Sequence, residues 1–396
     1  MIIGITGSVG KSSAKEAVYA VLKSHFKVRR NIKSYNNELG VPLTILGLET
    51  GKKSVFKWLR NFLKAFSAIL WQTDYPQILV LEMGADKPND IKYLTDFACP
   101  KISVVTAIGQ FPVHLEFFLE KDDLIKEKTA LVQCLPKDGT AILNYDDLSV
   151  RQMRENVPQD AKRIFYGFGQ GADIQISNFS HYFSDFKKSG ISFKIQYQGS
   201  IVPFRISKTL GKAQAYAAAA AAAAGLALGL NLVEISNSLK KYKSLPGRTN
   251  LIEGVKQTII IDDSYNSSPS AAVAALETLA EFKNGRKIAV LADMLELGKY
   301  TEDGHRLVGQ KAAQTVDLLY AVGARAKFIS DQAKKEGLYE ERIFEYDLPE
   351  DAALAVQAEL KIGDIILVKG SRAMKMEKVV KELMAHPEKD DKLLVK

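Results

Sequence analysis

The first thirteen residues, MIIGITGSVGKSS, run from a short apolar strand into a glycine-rich turn, a lysine and two hydroxyl residues, and a helical pattern follows at 14–22. Gly7 and Gly10 let backbone N–H groups approach phosphate oxygens, Lys11 adds a positive charge, and Ser12 can reach a magnesium ion. The strict GxxxxGK[ST] pattern fails because Ile5 stands at its first glycine, but the shorter TGxxGKS form is present. An ordinary strand-to-helix turn is the alternative to the phosphate-binding loop that this order predicts.

Apolar runs of strand length alternate with helix-period segments along most of the chain. This alternation predicts an α/β fold with mainly parallel sheets. Between about 163 and 206 short alternating runs replace it and indicate a small antiparallel insert. The predicted strands are 1–6, 78–81, 102–106, 140–143, 258–261, 287–291, 318–322 and 364–368.

A Pro-Gly pair at 246–247 marks the best linker between two α/β regions. We therefore expect a P-loop ATP-binding unit at 1–246 and a second unit at 247–396. The second has its own strand–helix alternation and is predicted to be a Rossmann-like, doubly wound domain.

The chain of 396 residues is 46% hydrophobic and 25% charged, as in an ordinary soluble protein, and its net charge is +8. Since lysines are spread throughout, we expect a solvated surface with an anionic small-molecule site rather than a nucleic-acid interface. Cys99 and Cys134 lack metal-ligand spacing and are predicted to be free thiols. With no secretory signal recognised, a cytoplasmic location is expected.

Two segments raise the question of a membrane. The alanine-rich stretch at 213–232 is predicted to be a closely packed buried helix, with a spanning helix as the alternative. Segment 55–71 places Trp58, Phe62 and Phe66 at helical spacing, with Lys57, Arg60 and Lys64 interleaved. Such a basic amphipathic helix packs on its own domain or docks on a membrane or partner.

Glu82 directly follows an apolar strand, where a carboxylate near a phosphate loop is well placed to hold magnesium. His114 and Lys128 lie beyond the next strand, and a solvated helix face is the default interpretation for Lys128. Taken together, these residues are a far more specific signal of function than any one of them alone. The chain resembles the Mur ligase family, the ATP-dependent ligases of peptidoglycan synthesis, in strings spread over nearly its whole length. They are TGSVGKSS at 6–13, NNELGVPLT at 36–44, LEMG at 81–84, HLE at 114–116, EK at 127–128, PGR at 246–248, DDSYN at 262–266, DMLELG at 293–298, His305 and KGSR at 369–372.

The resemblance implies a role for each matching residue. The family carries the lysine at the position of Lys128 as a carbamate, which turns a cation into a carboxylate-like ligand. Catalytic roles are implied for Lys11, Glu82, His114 and Lys128, and magnesium ligation for Ser12, Glu82, His114 and carbamylated Lys128. ATP contacts are implied for Gly7, Ser8, Gly10, Lys11, Ser12, Ser13, Asn144, Arg248 and Asp263. Substrate contacts are implied for Asn36, Tyr265 and Asn266, with Lys369, Ser371 and Arg372 on the rim of the cleft.

The strings DDSYN and DMLELG resemble the branch of the family that adds D-alanyl-D-alanine. The implied reaction uses ATP and Mg²⁺ to join D-alanyl-D-alanine to a UDP-N-acetylmuramoyl tripeptide through an acyl phosphate, and a monomer is expected. Alternatives are a related ligase for another acid, such as a folate-like or amino-acid polymer substrate, and a nucleotide-binding scaffold of wall synthesis.

The sequence departs from the family pattern in three places. The phosphate loop begins so early that the family's N-terminal UDP-sugar domain is expected to be absent. The family often shows GxHxxxN before the alanine-rich helix, whereas Ala213 and Ala217 stand at those positions here. Adenine recognition is therefore expected to differ or to be weaker. Segment 55–71 resembles an insertion.

Overall fold

The computed structural model describes residues 1–32, 35–71, 75–112, 115–118, 120–183 and 188–395, without the side chains of 68–71. Its strands form two sheets, one of nine and one of six strands. The strands are β1 (Ile2–Thr6), β2 (Val28–Arg30), β3 (Ile78–Glu82), β4 (Ile102–Val105), β5 (Thr140–Asn144), β6 (Lys162–Gly167), β7 (Ile174–Phe183), β8 (Ser189–Tyr197), β9 (Ser200–Ser207), β10 (Asn250–Glu253), β11 (Ile259–Asp263), β12 (Lys287–Ala292), β13 (Leu318–Val322), β14 (Ile343–Tyr346) and β15 (Ile365–Lys369).

Helices connect most of these strands, as expected for crossovers in parallel sheets. They are α1 (Lys11–Leu22), α2 (Gly40–Leu46), α3 (Val55–Trp71), α4 (Asp90–Ala98), α5 (Lys121–Gln133), α6 (Leu148–Gln152), α7 (Lys212–Ala227), α8 (Leu232–Leu239), α9 (Pro269–Ala280), α10 (Thr301–Ala313), α11 (Lys327–Lys335), α12 (Pro349–Glu359), α13 (Glu377–Leu383) and α14 (Asp390–Leu393).

The larger sheet has the order β2-β3-β1-β4-β5-β6-β7-β8-β9. Its strands are parallel from β2 through β7, and β7, β8 and β9 are antiparallel. The predicted parallel core and antiparallel insert are thus both confirmed. Because β1 lies between β3 and β4, the chain segments that follow these three strands meet at one edge of the sheet, where a ligand is expected in an open α/β fold.

The smaller sheet has the order β10-β11-β15-β12-β13-β14 and is parallel except for β10. Helices α9, α10 and α11 cover one face with an apolar core, and α12 and α13 cover the other. This is the predicted doubly wound architecture, and all eight predicted strands are present with ends shifted by at most two residues.

The alanine-rich helix α7 packs along α1 beneath the larger sheet. Its residues from Ala217 to Gly225 are all buried, which confirms the predicted close-packed helix. Across the residues with a described structure, we find no helix of sufficient length and apolarity to span a bilayer. The same residues hold both cysteines as free thiols.

Candidate functional site

The turn between β1 and α1 has the shape of an anion-binding loop. Gly7 has a φ of +140°, and a Cβ there would lie 2.1 Å from Thr106 Oγ1, so only glycine fits. Gly10 also has a positive φ, of +89°. Backbone N–H groups of Ser8 and Val9 donate to the Ala107 carbonyl at 2.7 and 3.0 Å and fix the loop against the end of β4.

The start of α1 is left open for a ligand. No side chain of the described residues caps it and its first turn carries no acidic residue, so its N–H groups and positive dipole end face the loop. The buried hydroxyl of Ser8 has no hydrogen-bond partner among the described residues. Lys11 Nζ donates to the Ser8 carbonyl at 3.2 Å. Burial lowers the pKa of Lys11, although the nearby Glu82 carboxylate opposes this shift.

Glu82 ends β3 beside the loop and is almost fully buried. Its Oε2 lies 3.3 Å from Lys15 Nζ, and its Oε1 accepts from Asn36 Nδ2 at 3.2 Å. Burial alone would raise the pKa of Glu82, but Lys15 and Lys11 more than compensate, with help from the Ser12 hydroxyl, and the pKa is lowered. The carboxylate is therefore ionised at neutral pH.

Two residues that support Glu82 were not identified from the sequence. Lys15 forms the ion pair described above, and its position four residues after Lys11 places both lysines on one helix face, which was an available signal. Asn31 clamps the backbone of Glu82, accepting from its N–H at 2.8 Å and donating to its carbonyl at 2.9 Å. No sequence pattern points to Asn31, since 51 residues separate the two.

Lys128 lies on α5 and is completely buried. Its Nζ has no hydrogen-bond partner within the described part of the chain. Burial, reinforced by the positive charge of Lys11, lowers the pKa of Lys128 to about 7. The default expectation of a solvated helix face is therefore wrong for this residue, which is an unusually weak base and presents a large fraction of neutral, nucleophilic amine at physiological pH.

The predicted magnesium ligands are brought together only in part. His114 lies outside the described residues. Among those described, no group of three or more His, Cys, Asp and Glu side chains has the arrangement of a metal site. Within the described residues, the buried Glu82 Oε2 nevertheless has no hydrogen-bond partner besides its ion pair with Lys15, and Ser12 lies close to this carboxylate. A carboxylate and a hydroxyl are hard oxygen ligands of the kind that Mg²⁺ prefers, so the residues present fit this ion.

The predicted nucleotide motif at 144–147 supports the neighbouring loops. Asn144 Oδ1 accepts from the Asp146 N–H at 3.0 Å, and Asp147 Oδ2 accepts from the N–H groups of Ile108 and Gly109 at 2.8 and 2.9 Å. Asp146 also accepts from the Tyr216 hydroxyl at 2.7 Å. The predicted ATP contact of Asn144 stays a prediction.

The segment that departs from the family's GxHxxxN pattern forms the start of α7. Ala213 is exposed and Ala217 is buried. Between them, Gln214 Nε2 donates to the Ser244 hydroxyl at 3.0 Å and to the Arg248 carbonyl at 3.1 Å. The helix start is thus tied to the linker between the two sheets.

Arg248 reaches from that linker toward the phosphate loop. Its guanidinium lies 4.3 Å from the Tyr265 ring centre, and its charge lowers the pKa of Lys11. The buried Arg248 Nε has no hydrogen-bond partner in the described structure. A second positive charge, that of a guanidinium, therefore lies near Lys11, which favours a strongly anionic ligand.

The remaining predicted residues form a buried network in the C-terminal unit. Lys369 Nζ donates to Asp263 Oδ2 at 2.5 Å and to the Asn266 carbonyl at 2.9 Å. Lys369 is only 2% exposed, so it does not form the rim that was expected, because it pairs with Asp263 at the end of the adjacent strand. Burial raises the pKa of neighbouring Asp262 to about 6.

The string DMLELG is held by its own contacts. Ser371 Oγ accepts from the Leu295 N–H at 2.8 Å, and Ser371 N–H donates to the Asp293 carbonyl at 3.1 Å. His305 Nε2 accepts from the Met294 N–H at 2.9 Å. Arg372 forms an ion pair with Glu377 at 2.9 Å. The substrate contacts predicted for Ser371 and Arg372 stay predictions.

Side chains of the two α/β units contact each other at two places. Lys299 pairs with Glu120 at 3.0 Å, and the charge of Glu296 acts on Lys11. At the other end of the interface, His181 Nε2 accepts from the Gly211 N–H at 2.9 Å, and its Nδ1 lies 2.5 Å from Glu281 Oε2. The two units therefore meet through the Lys299–Glu120 ion pair and the hydrogen bond from His181 to Glu281, and the charge of Glu296 in the C-terminal unit acts on Lys11 of the phosphate loop.

Comparisons with known proteins agree with this arrangement. The family description "Mur ligase middle domain" matches residues 61–225, and "Mur ligase, glutamate ligase domain" matches residues 247–372. The UDP-N-acetylmuramoyl-tripeptide–D-alanyl-D-alanine ligase of Bacillus subtilis (strain 168) is 30% identical over 388 residues, which cover 98% of this chain and 76% of the relative. The ligase of the same name from Escherichia coli (strain K12) is 28% identical over 387 residues, covering 96% of this chain and 76% of the relative.

Solved structures show the same likeness. The MurF ligase from Thermotoga maritima in complex with ADP superposes with a TM-score of 0.79 at 27% identity, covering 98% of this chain and 80% of that one. A folylpolyglutamate synthase from the same organism superposes with a TM-score of 0.60 at 16% identity, covering 98% and 88%, and shows the fold alone.

Proposed function

The chain belongs to the Mur ligase family, and from that premise we propose that it joins D-alanyl-D-alanine to a UDP-N-acetylmuramoyl tripeptide in an ATP-dependent reaction of peptidoglycan synthesis. The observation that carries the proposal is the 30% identity to the Bacillus subtilis ligase over 98% of the chain. The partly buried Lys11 with the buried Glu82 and Lys128 beside an open helix start supports it, because this arrangement suits an anionic phosphate chain. We assign residues 1–246 to the ATP-binding unit and 247–396 to the C-terminal unit.

The first step in this proposal is phosphoryl transfer. A carboxylate oxygen of the tripeptide attacks the γ-phosphorus of ATP, the bond to the β–γ bridging oxygen breaks, and ADP leaves. The N–H groups of the phosphate loop bind the phosphate oxygens, and Lys11 and Arg248 neutralise charge on the transferring group. Their low-polarity surroundings strengthen these interactions relative to those in water.

Mg²⁺ would be held by Ser12 and Glu82, with His114 and carbamylated Lys128 as further ligands. Bound there, it supplies charge neutralisation and alignment of the phosphate oxygens. Lys15 and Asn36 keep the Glu82 carboxylate ionised and oriented, which maintains it as an oxygen donor.

Carbamylation of Lys128 is part of the proposal and is supported by its surroundings. A neutral amine adds CO2, forms an N–C bond and releases one proton. The low pKa provides the neutral amine, and the product anion would be attracted by Lys11, whereas the ammonium form is repelled by it. The Nζ has no described hydrogen-bond partner that the reaction would have to displace.

The second step forms the amide bond. The free amine of D-alanyl-D-alanine attacks the acyl carbon, phosphate leaves, and the amine loses a proton. We propose that Asp263 and Asn144 contact the nucleotide and that Tyr265 and Asn266 line the path of the amine. Contacts between the two units across the cleft would exclude water from the acyl phosphate. Since Ala213 and Ala217 present only methyl groups, adenine recognition relies on other contacts.

An assay of phosphate release tests the function. ATP, Mg²⁺ and UDP-N-acetylmuramoyl tripeptide are supplied with and without D-alanyl-D-alanine, and the product is identified by mass spectrometry. We expect phosphate release that depends on both substrates, with a product heavier by one dipeptide less water. L-alanyl-L-alanine and a folate acceptor serve as controls. Release with the folate acceptor and an amino acid, but not with the tripeptide, would refute the proposed substrate.

A further inference from the structure

Helix α3 exposes an apolar surface that nothing in the described structure covers. Six of its large apolar side chains are between 56% and 85% exposed. They repeat at helical spacing and so share one side of the helix. We call this surface the apolar face of α3, and it comprises Val55, Phe56, Leu59, Phe62, Leu63 and Phe66.

The helix is attached to the protein along a different side. Trp58 Nε1 donates to the Lys52 carbonyl at 3.1 Å, and its ring packs against Gly51. Asn61, which is buried, donates from Nδ2 to the Glu49 carbonyl at 2.7 Å. Among the elements of the described chain, none packs along α3. The expectation that this helix packs on its own domain therefore holds for Trp58 and Asn61 but not for the apolar face.

The charged residues of α3 and of the turn directly before it are all basic, and the exposed Glu49 lies next to Asn61 on the attached side. Lys57, Arg60 and Lys64 are exposed and follow one edge of the apolar face, away from the side that carries Trp58 and Asn61, and Lys52 and Lys53 precede the helix. The sequence from 50 to 73 contains no Asp or Glu. A binding partner for this surface therefore needs apolar groups that contact the aromatic side chains and negative charges that pair with the five cations.

We propose that α3 binds the surface of an anionic lipid bilayer, lying in the plane of the membrane with its apolar face among the acyl chains. Phenylalanine and leucine on one side with lysine and arginine on the other is the pattern of interfacial helices. With three cations among its 17 residues, α3 does not meet the requirement for a spanning helix. Lysine side chains are long enough to reach back to the phosphates of the headgroups.

A second copy of the chain fits this surface less well. Pairing two apolar faces would also bring two sets of five cations together, and like charges in contact oppose association. The membrane meets both requirements, since acyl chains cover the apolar face and anionic headgroups attract the cations. The interaction is independent of the ligase reaction, because none of these residues belongs to the site around Lys11.

Vesicle flotation tests the proposal with the full chain. Vesicles of phosphatidylcholine with 30% phosphatidylglycerol are compared with pure phosphatidylcholine, at low and high salt. We expect the protein to float with the anionic vesicles and binding to fall at high salt. Each basic residue contributes about fivefold in partitioning, so K57E, R60E and K64E together should weaken binding on the order of 100-fold or more.

Two further triple variants separate the contributions. L59S, F62S and F66S together should abolish flotation while leaving the thermal midpoint unchanged, because these side chains are exposed. The matched charge control is K162E, K194E and K240E, which removes the same charge from exposed positions elsewhere and should keep most binding. Sedimentation velocity measures self-association of each protein.

Four outcomes would overturn the proposal. One is equal flotation of the charge control and the α3 charge variant. Another is flotation that survives the serine substitutions. If the protein does not bind vesicles but forms a dimer that the serine substitutions dissociate, the apolar face binds a second copy of the chain. A protein that stays monomeric and floats with neither kind of vesicle would refute membrane binding and would indicate an acidic protein partner for the apolar face.

Discussion

Removing CO2 should lower the ligation activity of the enzyme and returning it should restore that activity, because CO2 modifies Lys128. The perturbation is preparation of the protein in CO2-free buffer, followed by addition of bicarbonate. Only the neutral amine reacts with CO2, so the pKa of Lys128 sets how much reactive side chain is present. The ammonium form adds a positive charge beside Lys11, whereas the carbamate replaces it with a negative one.

The magnitude follows from the burial of Lys128. With a pKa of about 7, roughly half of the side chain is neutral at pH 7, whereas at the ordinary value of 10.5 the neutral fraction would be about 1 in 3,000. Burial therefore raises the reactive fraction by about three orders of magnitude. A bicarbonate concentration that leaves surface lysines unmodified should modify Lys128.

Three measurements read out this prediction. Carbon-13 NMR with labelled bicarbonate should show one carbamate signal, ligation should increase several-fold on adding bicarbonate, and the thermal midpoint should rise because a ligand of the folded state stabilises it. K128M should lose the NMR signal, the ligation activity and the bicarbonate-dependent stabilisation together. K126M, which changes an exposed lysine two residues away on the same helix, is the matched control and should keep all three.

The pH dependence gives an independent check. Between about pH 7 and 10.5 the unfolded chain binds a proton at Lys128 that the folded chain does not. The free energy of unfolding of the wild type, relative to K128M, should therefore rise across this interval in CO2-free buffer. K128M should be the more stable protein at pH 7, since it no longer buries an amine without a partner. Equal pH profiles, or full activity of K128M, would refute the assigned role and the burial argument with it.

The other predictions concern the remaining site and the contact between the two units. K11A and E82A should each lower ligation, measured by phosphate release, by about 100- to 1,000-fold, and near-normal turnover would remove that residue from the mechanism. K11A should change the thermal midpoint little, whereas E82A should lower it because the buried Lys15 ammonium loses this carboxylate. K15M should raise the pKa of Glu82 and weaken Mg²⁺-dependent ATP binding about tenfold by calorimetry, and unchanged affinity would show that the ion pair does not position Glu82. E281A should lower the free energy of unfolding by about 1 kcal/mol or less. It should also increase the radius of gyration measured by solution scattering, because the contact with His181 is loosened. An unchanged radius of gyration would show that other contacts hold the two units together.

The sequence was sufficient for the architecture because alternation of apolar strands with helical segments is a local signal. It also placed Lys11 in the turn after β1 and Glu82 at the end of β3, two strands that are neighbours in the sheet. It was insufficient for Lys128, whose complete burial depends on packing of α5 against segments far away in the chain. Asn31 was missed for the same reason, and Lys369 was placed on a rim because its pairing with Asp263 requires the register of two strands.

The apolar face of α3 shows a different limit. Its amphipathic pattern was readable, but the same pattern is typical of a helix packed on its own domain. The loop contacts of Trp58 and Asn61 decide which side faces the protein, and they depend on backbone carbonyls that a sequence pattern does not reveal.

The buried alanines of α7 restrict which substitutions this chain accepts during evolution. A side chain that is already a methyl group has almost nothing to lose by truncation, and Ala220→Gly costs only about 1 kcal/mol through helix propensity. Enlargement is costlier, because Ala220 is completely buried and a Cβ at Gly225 would already lie 2.9 Å from Ile235. The lack of space for larger side chains therefore maintains the alanine-rich composition of this segment. Relatives should carry larger residues there only where residues of α1 or α8 are smaller.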